Sequence, residues 1–140
     1  MKITIIGGGN IGGAIAGGLA ASTLMKASDL TVADPSAAAL ERIKGLNSAI
    51  RTSQDNAAAV EGADLIILAV KPWLAEEVSA TFRDKLNFDR QCLASVVAGV
   101  SFEKLKTMLD NGKDVRPALL RLIPNPAISL RESVTFIASD

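Results

Sequence analysis

The stretch that most limits what this chain can fold into is Lys2-Ile3-Thr4-Ile5-Ile6-Gly7-Gly8-Gly9-Asn10-Ile11-Gly12, a β-branched apolar run that breaks into glycines and resumes with helical spacing. It predicts strand, tight turn, helix. Gly7, Gly9 and Gly12 stand in a G-x-G-x-x-G pattern, and each glycine has a mechanical task. Gly7 lets the backbone turn sharply, Gly9 leaves room for a pyrophosphate, and Gly12 allows the helix to pack closely on its strand. An anion there meets the unpaired N–H groups of a helix N-terminus, which carries about half a positive charge. Glycine turns that bind nothing share the pattern; its place after a strand and before a helix favours a dinucleotide site.

Downstream, strand-like and helix-like segments alternate, which predicts an α/β fold, a doubly wound, mostly parallel sheet of the Rossmann type. A first helix is expected over residues 10–23, with Ile11, Ile15 and Leu19 on one face. Gly13, Gly17 and Gly18 lie inside it, each costing about 1 kcal/mol relative to alanine. Either this helix approaches the sheet and cofactor too closely for a Cβ, which is the expectation here, or it is simply a weak helix. Strands are expected at 29–33, 49–51, 64–70, 92–97 and 115–123, with Pro117 tolerable only near the start of the last. The 64–70 run is continuously apolar, so both faces should be covered. Helical segments follow at 37–46, at 53–60 as a capped turn, at 73–85 through Leu74, Val78 and Phe82, and at 101–109 behind Ser101 as cap. Trp73 is expected to cover apolar surface. Pro124-Asn125-Pro126 breaks the sixth strand, and residues 133–138 should add an antiparallel edge strand, since too few residues intervene for a crossover helix.

The 140 residues suit one domain, residues 1–140. Fifteen basic and fifteen acidic residues cancel, leaving no electrostatic case for nucleic acid or an anionic membrane as partner. No uncharged apolar run approaches the roughly 18 residues of a membrane span, so a soluble protein is expected. Cys92, the only cysteine, excludes an internal disulfide framework and a cysteine zinc cluster, and reads as an inert buried thiol. A cytoplasmic setting is the expectation, the first strand beginning too early for a signal peptide. Histidine is absent, which removes the commonest general base and metal ligand; no metal site is expected, and chemistry must rest on a cofactor or on groups supplied elsewhere.

Asp34 falls about twenty residues after the last motif glycine, where a carboxylate can accept the adenosine ribose hydroxyls of NAD and would repel a 2′-phosphate. This favours NAD over NADP. Asp34 could instead cap the next helix, for which Ser36 competes, and Ser36 with its backbone could receive a phosphate. Because ligands sit outside the carboxyl ends of parallel strands, Ala69, Val70 and Lys71 should line the crevice, with Pro72 opening the helix that follows. Ala98 and Gly99 place small residues at the same edge. Lys71 reads equally as a solvated charge, and Asn125 as part of a turn between prolines.

In this order, Ile6-Gly7-Gly8-Gly9-Asn10-Ile11-Gly12, Asp55-Asn56, Ala69-Val70-Lys71-Pro72, Ala98-Gly99-Val100-Ser101 and Arg121-Leu122-Ile123-Pro124-Asn125 resemble the N-terminal half of the pyrroline-5-carboxylate reductases. The resemblance covers nearly the whole chain. It implies reduction of the cyclic imine 1-pyrroline-5-carboxylate to L-proline by a reduced nicotinamide, in proline synthesis. An iminium is already a good hydride acceptor, so catalysis is largely orientation. Carried over, Gly9, Asn10 and Ile11 would cradle the pyrophosphate, Asp34 with Pro35 and Ser36 the adenosine ribose, and Asn56 would lie near it. Ala69, Val70, Lys71 and Pro72, with Ala98 and Gly99, would border the nicotinamide half, and Asn125 would face nicotinamide and imine. The family continues its Pro-Asn element with Thr-Pro, whereas Pro126-Ala127 stands here. It also continues into an all-helical domain that forms the dimer and completes the imine site, including a hydroxyl side chain serving proton transfer. Residues 1–140 alone are therefore expected to bind a dinucleotide without turnover, and no catalytic residue is assigned. A 3-hydroxy acid dehydrogenase, a deazaflavin-dependent NADP reductase, or a non-catalytic dinucleotide-binding module are the alternatives.

Overall fold

Ile3–Ile6 form β1, with all four residues buried. The one polar side chain among them, Thr4, is satisfied by donating to the Ala59 carbonyl at 2.7 Å. The computed structural model describes residues 1–113, 118–130 and 132–140. Around β1 the chain lays down α1 (Asn10–Ala20), β2 (Leu30–Ala33), α2 (Ala37–Leu46), β3 (Arg51–Ser53), α3 (Asn56–Val60), β4 (Leu65–Leu68) and α4 (Ala75–Ala80). β5 (Cys92–Ser95), α5 (Phe102–Leu109), β6 (Ala118–Pro124) and β7 (Thr135–Ser139) follow. The seven strands form one sheet in the order β3-β2-β1-β4-β5-β6-β7. All neighbours are parallel except β6 and β7, which pair antiparallel from Leu120 opposite Ser139 to Pro124 opposite Thr135. The α/β, doubly wound reading and its antiparallel edge both hold. The expected strand start at Val115, with Pro117, lies outside the described residues.

The apolar run of β4 serves two cores because successive side chains leave a strand on opposite faces. Ile66 and Leu68 join Ile6, Phe82, Leu93, Leu105 and Leu109 on one side of the sheet. Ile67 joins Ile3, Ile5, Val32, Ile43 and Ala16 on the other. That is the covering of both faces expected for a parallel strand.

Several boundaries move, each for a local reason. β3 forms at Arg51–Ser53 rather than 49–51, because Asn47 turns the chain: its carboxamide oxygen accepts from Ala49 N–H at 3.0 Å and its carbonyl from Ile50 N–H at 3.1 Å. α1 stops at Ala20, where Ala21 N–H donates to the Gly17 carbonyl and Ser22 N–H to the Leu19 carbonyl, both at 3.1 Å. The helix expected over 73–85 is a short 3-10 turn at Pro72–Leu74, then α4, then a second 3-10 turn at Arg83–Lys85. Thr81 ends α4 by donating its hydroxyl to the Val78 carbonyl at 2.7 Å, in competition with the backbone ladder. Phe82 is fully buried as expected, but Trp73 is 76% exposed and covers little, a correction that follows from its place on the outer side of the 3-10 turn. Cys92 is half-buried, and desolvation pushes its thiol up, keeping it a thiol. Among the described residues no helix is long and apolar enough to cross a membrane.

The expected close approach of Gly13 and Gly17 to the sheet is overturned. A methyl at either position would meet a side-chain tip of α2, Ile43 or Leu46, at an ordinary contact distance of 3.5 Å. The double substitution G13A/G17A is therefore expected to raise the thermal midpoint, through a stability gain of up to about 1 kcal/mol per site, with dinucleotide affinity unchanged in a parallel titration.

Asp64 ties the start of β1 to the start of β4. Its N–H donates to the Lys2 carbonyl at 2.9 Å, and its carboxylate accepts from Lys2 N–H at 2.7 Å and pairs with Arg90 at 3.6 Å. The Lys2 amide above all, with the N-terminus and Arg90, holds the Asp64 carboxyl below its ordinary value. A folded value below the unfolded one stabilises the fold above the ordinary carboxylate range, and that contribution is lost as pH falls through the depressed value. Thermal midpoints followed from about pH 5 to about pH 2 should accordingly decline less steeply in D64N than in the unchanged chain.

Candidate functional site

The turn after β1 is built so that only glycine fits at two of its corners. Gly7 sits at φ 104°, and a Cβ there would lie 2.5 Å from the Ala69 carbonyl oxygen. A Cβ on Gly12 would collide outright with the Gly7 carbonyl, which is how closely the first turn of α1 is drawn onto the strand. Gly9 differs: a Cβ there would meet nothing, so its bareness leaves space above the helix end. No side chain caps α1, and no acidic residue occupies its first turn. Its first N–H groups are thus left for an external acceptor. A cradle open over a helix N-terminus fits a diphosphate.

The turn is also held from β2 and α2. Gly7 N–H donates to the Ala33 carbonyl at 2.8 Å, and Gly8 N–H to Asp34 Oδ2 at 2.8 Å. Arg42, on α2, donates from Nη2 to the Gly8 carbonyl at 2.9 Å. The second Asp34 oxygen accepts from Ser36 N–H at 2.8 Å. Ser36, not Asp34, caps α2, its hydroxyl accepting from Ala39 N–H at 3.2 Å. Of the alternatives left open for Asp34, capping is thereby removed.

A cavity of about 280 Å³ opens at the carboxyl ends of β1, β2 and β4. Gly7, Gly9, Asn10 and Ile11 form one wall; Asp34, Pro35 and Asn56 another; Ala69, Val70 and Lys71 a third. Asn56, the first residue of α3, spends its amide N–H on the Thr81 hydroxyl at 3.1 Å. Lys71 is exposed and, among the described residues, makes no ion pair. Sequence reasoning missed Ile6, Ala33, Leu74, Val78 and Val96, which also line the cavity. Ile6 and Ala33 end their strands and Val96 follows one directly, so the carboxyl-end rule that found Ala69 would have found them. Leu74 and Val78 lie one helical turn apart, and the signal was their shared face.

Six expected residues do not line the cavity. Gly12 lies beneath the turn in the packing just described, Ser36 caps α2, and Pro72 opens its 3-10 turn behind Lys71. Ala98 and Gly99 are exposed beyond β5, with Gly99 at φ 72°. Asn125 is exposed beyond β6; its side-chain oxygen accepts from Ala127 N–H at 3.1 Å and its own N–H donates to the Ser133 hydroxyl at 3.2 Å. The enclosed space therefore runs from the end of β2 across β1 and β4 to Val96 after β5, and Ala98, Gly99 and Asn125 lie beyond it. Among the described residues no cluster of acidic, cysteine or histidine side chains could hold a metal ion.

Residues 2–99 match the family model described as NADP oxidoreductase, coenzyme F420-dependent. A pyrroline-5-carboxylate reductase of Pasteurella multocida is 33% identical over 136 residues, covering 96% of this chain and 47% of that protein. The solved structure of a pyrroline-5-carboxylate reductase from Coxiella burnetii superposes with a TM-score of 0.88 at 28% identity, covering 99% of this chain and 49% of that one. Plasmodium falciparum pyrroline carboxylate reductase, solved with NADP bound, superposes with a TM-score of 0.82 over 100% of this chain and 48% of its own; at 23% identity it supports the fold alone. The chain thus spans about half the length of the curated relatives it matches.

The glycines separate two effects experimentally. G12A should lose helical signal or thermal stability along with dinucleotide binding, because the Gly7 carbonyl has nowhere to go. G9A should keep the fold and weaken binding by about tenfold or more, a methyl then occupying the space over the first-turn N–H groups. Circular dichroism paired with fluorescence titration reads both.

Proposed function

The chain belongs to the family described as NADP oxidoreductase, coenzyme F420-dependent, and on that premise we propose that residues 1–140 are the cofactor-binding half of a pyrroline-5-carboxylate reductase. The observation that carries this is the cradle over the N-terminus of α1, open at Gly9 and flanked by Asp34 and Asn56 in one cavity. In this reading Gly9, Asn10 and Ile11 receive the diphosphate on their N–H groups, and Gly7 and Gly12 shape the turn. Asp34 accepts the adenosine ribose hydroxyls, with Pro35 and Asn56 beside it. Ala69, Val70, Lys71 and Pro72 border the nicotinamide half, the first three walling the same cavity on its β4 side, towards Val96. Ala98, Gly99 and Asn125 border it farther along the β5–β6 edge.

The bound nicotinamide would supply the hydride that reduces the C=N bond of the imine. What these residues contribute is placement: they fix the dinucleotide along the strand ends so that its reactive ring projects past β5, and placement of two reactants is worth a large share of the barrier when the acceptor is already electrophilic. The imine-binding groups, the proton donor and the subunit contacts are supplied outside these residues, which is consistent with relatives about twice as long. Proline synthesis in the cytoplasm accompanies this reading, and the lone thiol of Cys92 suits a reducing compartment.

Asp34 tilts the choice of cofactor toward NADH, since a 2′-phosphate would be brought against a fixed carboxylate. Titration of NADH and NADPH against the 140-residue chain, read through emission of Trp73, the only tryptophan, is expected to show NADH binding the more tightly. No proline should form from the imine in the same solution. Failure to bind either dinucleotide, or turnover by these residues alone, would overturn the assignment.

A further inference from the structure

We propose that Arg42 selects between cofactors: its guanidinium, anchored on the Gly8 carbonyl, offsets the Asp34 carboxylate and allows the ribose end of the cavity to accept a 2′-phosphate. The proposal rests on the dinucleotide reading above. Gly8 is buried, and both of its backbone polar groups are taken by side chains of opposite charge, its N–H by Asp34 Oδ2 at 2.8 Å and its carbonyl by Arg42 Nη2 at 2.9 Å. The two charges therefore stand on either side of a single glycine residue, well within the roughly 10 Å over which salt leaves a charge felt.

Arg42 is not bound up elsewhere. Among the described residues it makes no ion pair, and the hydrogen bond to Gly8 uses one of the five N–H donors of a guanidinium. The residue as a whole is exposed and lies outside the walls of the cavity, whereas Asp34 and Pro35 form them. A ribose hydroxyl held by Asp34 sits inside; a phosphate carried on it projects beyond the carboxylate, toward the rim where the guanidinium is pinned. With Asp34 alone, a doubly charged phosphate meets only repulsion. With Arg42 fixed beside it, the same phosphate gains a planar, multi-donor partner that has already lost much of its rotamer freedom to the Gly8 bond. Asp34 and Arg42 thus act in opposition, and the difference between NADH and NADPH is narrower than the carboxylate by itself would make it.

The test compares the 140-residue chain with R42Q, R42A and K71A, titrating each with NADH and with NADPH and recording ligand-free thermal unfolding. R42Q can keep a donor for the Gly8 carbonyl while removing the charge, so it answers the question should R42A fail to fold. The expected result is a loss of NADPH affinity of about tenfold or more in R42Q, with NADH affinity changed by less than about threefold. Equal losses for both cofactors would reduce Arg42 to a support of the turn and overturn the proposal, as would unchanged NADPH affinity. A selective loss of NADPH in K71A but not in R42Q would move the role to Lys71, the cation on the cavity wall. NADH binding by the unchanged chain keeps the dinucleotide reading intact whichever of these is found; binding of neither cofactor would refute both.

Discussion

The contact on which the rest depends is that of Gly12 with the Gly7 carbonyl, tight enough that a single added carbon cannot be placed between them. It draws the first turn of α1 down onto the end of β1, and so aims the unpaired N–H groups of that turn across the carboxyl edge of the sheet. Because β1 lies between β2 and β4, the helix end is delivered to the crevice where the chain changes direction of winding. A helix standing off by one methyl would leave the same sequence motif with its donors pointing into solvent.

That geometry is sustained by burial on both faces of the sheet. β1 and β4 feed alternate side chains into separate apolar layers, so neither strand can shift by one residue without turning isoleucines and leucines toward water. A rigid sheet fixes where its strands end, and the cavity is no more than the set of places where they end: Ile6, Ala33 and Ala69, joined by the turn glycines. Asn56, at the start of α3, and Leu74 and Val78, after β4, also line it. Ala98, Gly99 and Asn125, farther along the β5–β6 edge, are exposed.

Electrostatics within the turn adds a finer layer. The loop carries no ionisable side chain from Gly7 to Gly12, yet an anion and a cation are brought to Gly8 from β2 and α2. Backbone dipoles thus serve the diphosphate while side chains from elsewhere in the chain address the ribose, and the two tasks can vary independently.

The strand–turn–helix at residues 2–12, the alternation that produces a parallel sheet, the antiparallel last strand and most of the cavity wall were legible in the amino-acid sequence, because these follow from short-range constraints: β-branched runs, glycine geometry and the residues that end each strand. Sequence periodicity misplaced β3 and ran residues 73–85 together as one helix, since Asn47 and Thr81 compete for backbone groups through side-chain bonds that it does not register. Trp73, Gly13 and Gly17 were misread for a related reason: exposure and closeness depend on which neighbour packs across, and Ile43 and Leu46 leave room that no spacing rule discloses. Only the tertiary structure could show that Asp34 and Arg42 meet at Gly8, from sequence separations of 26 and 34 residues. A contact between distant segments is decided by how the sheet orders its strands, and that order is a property of the folded whole.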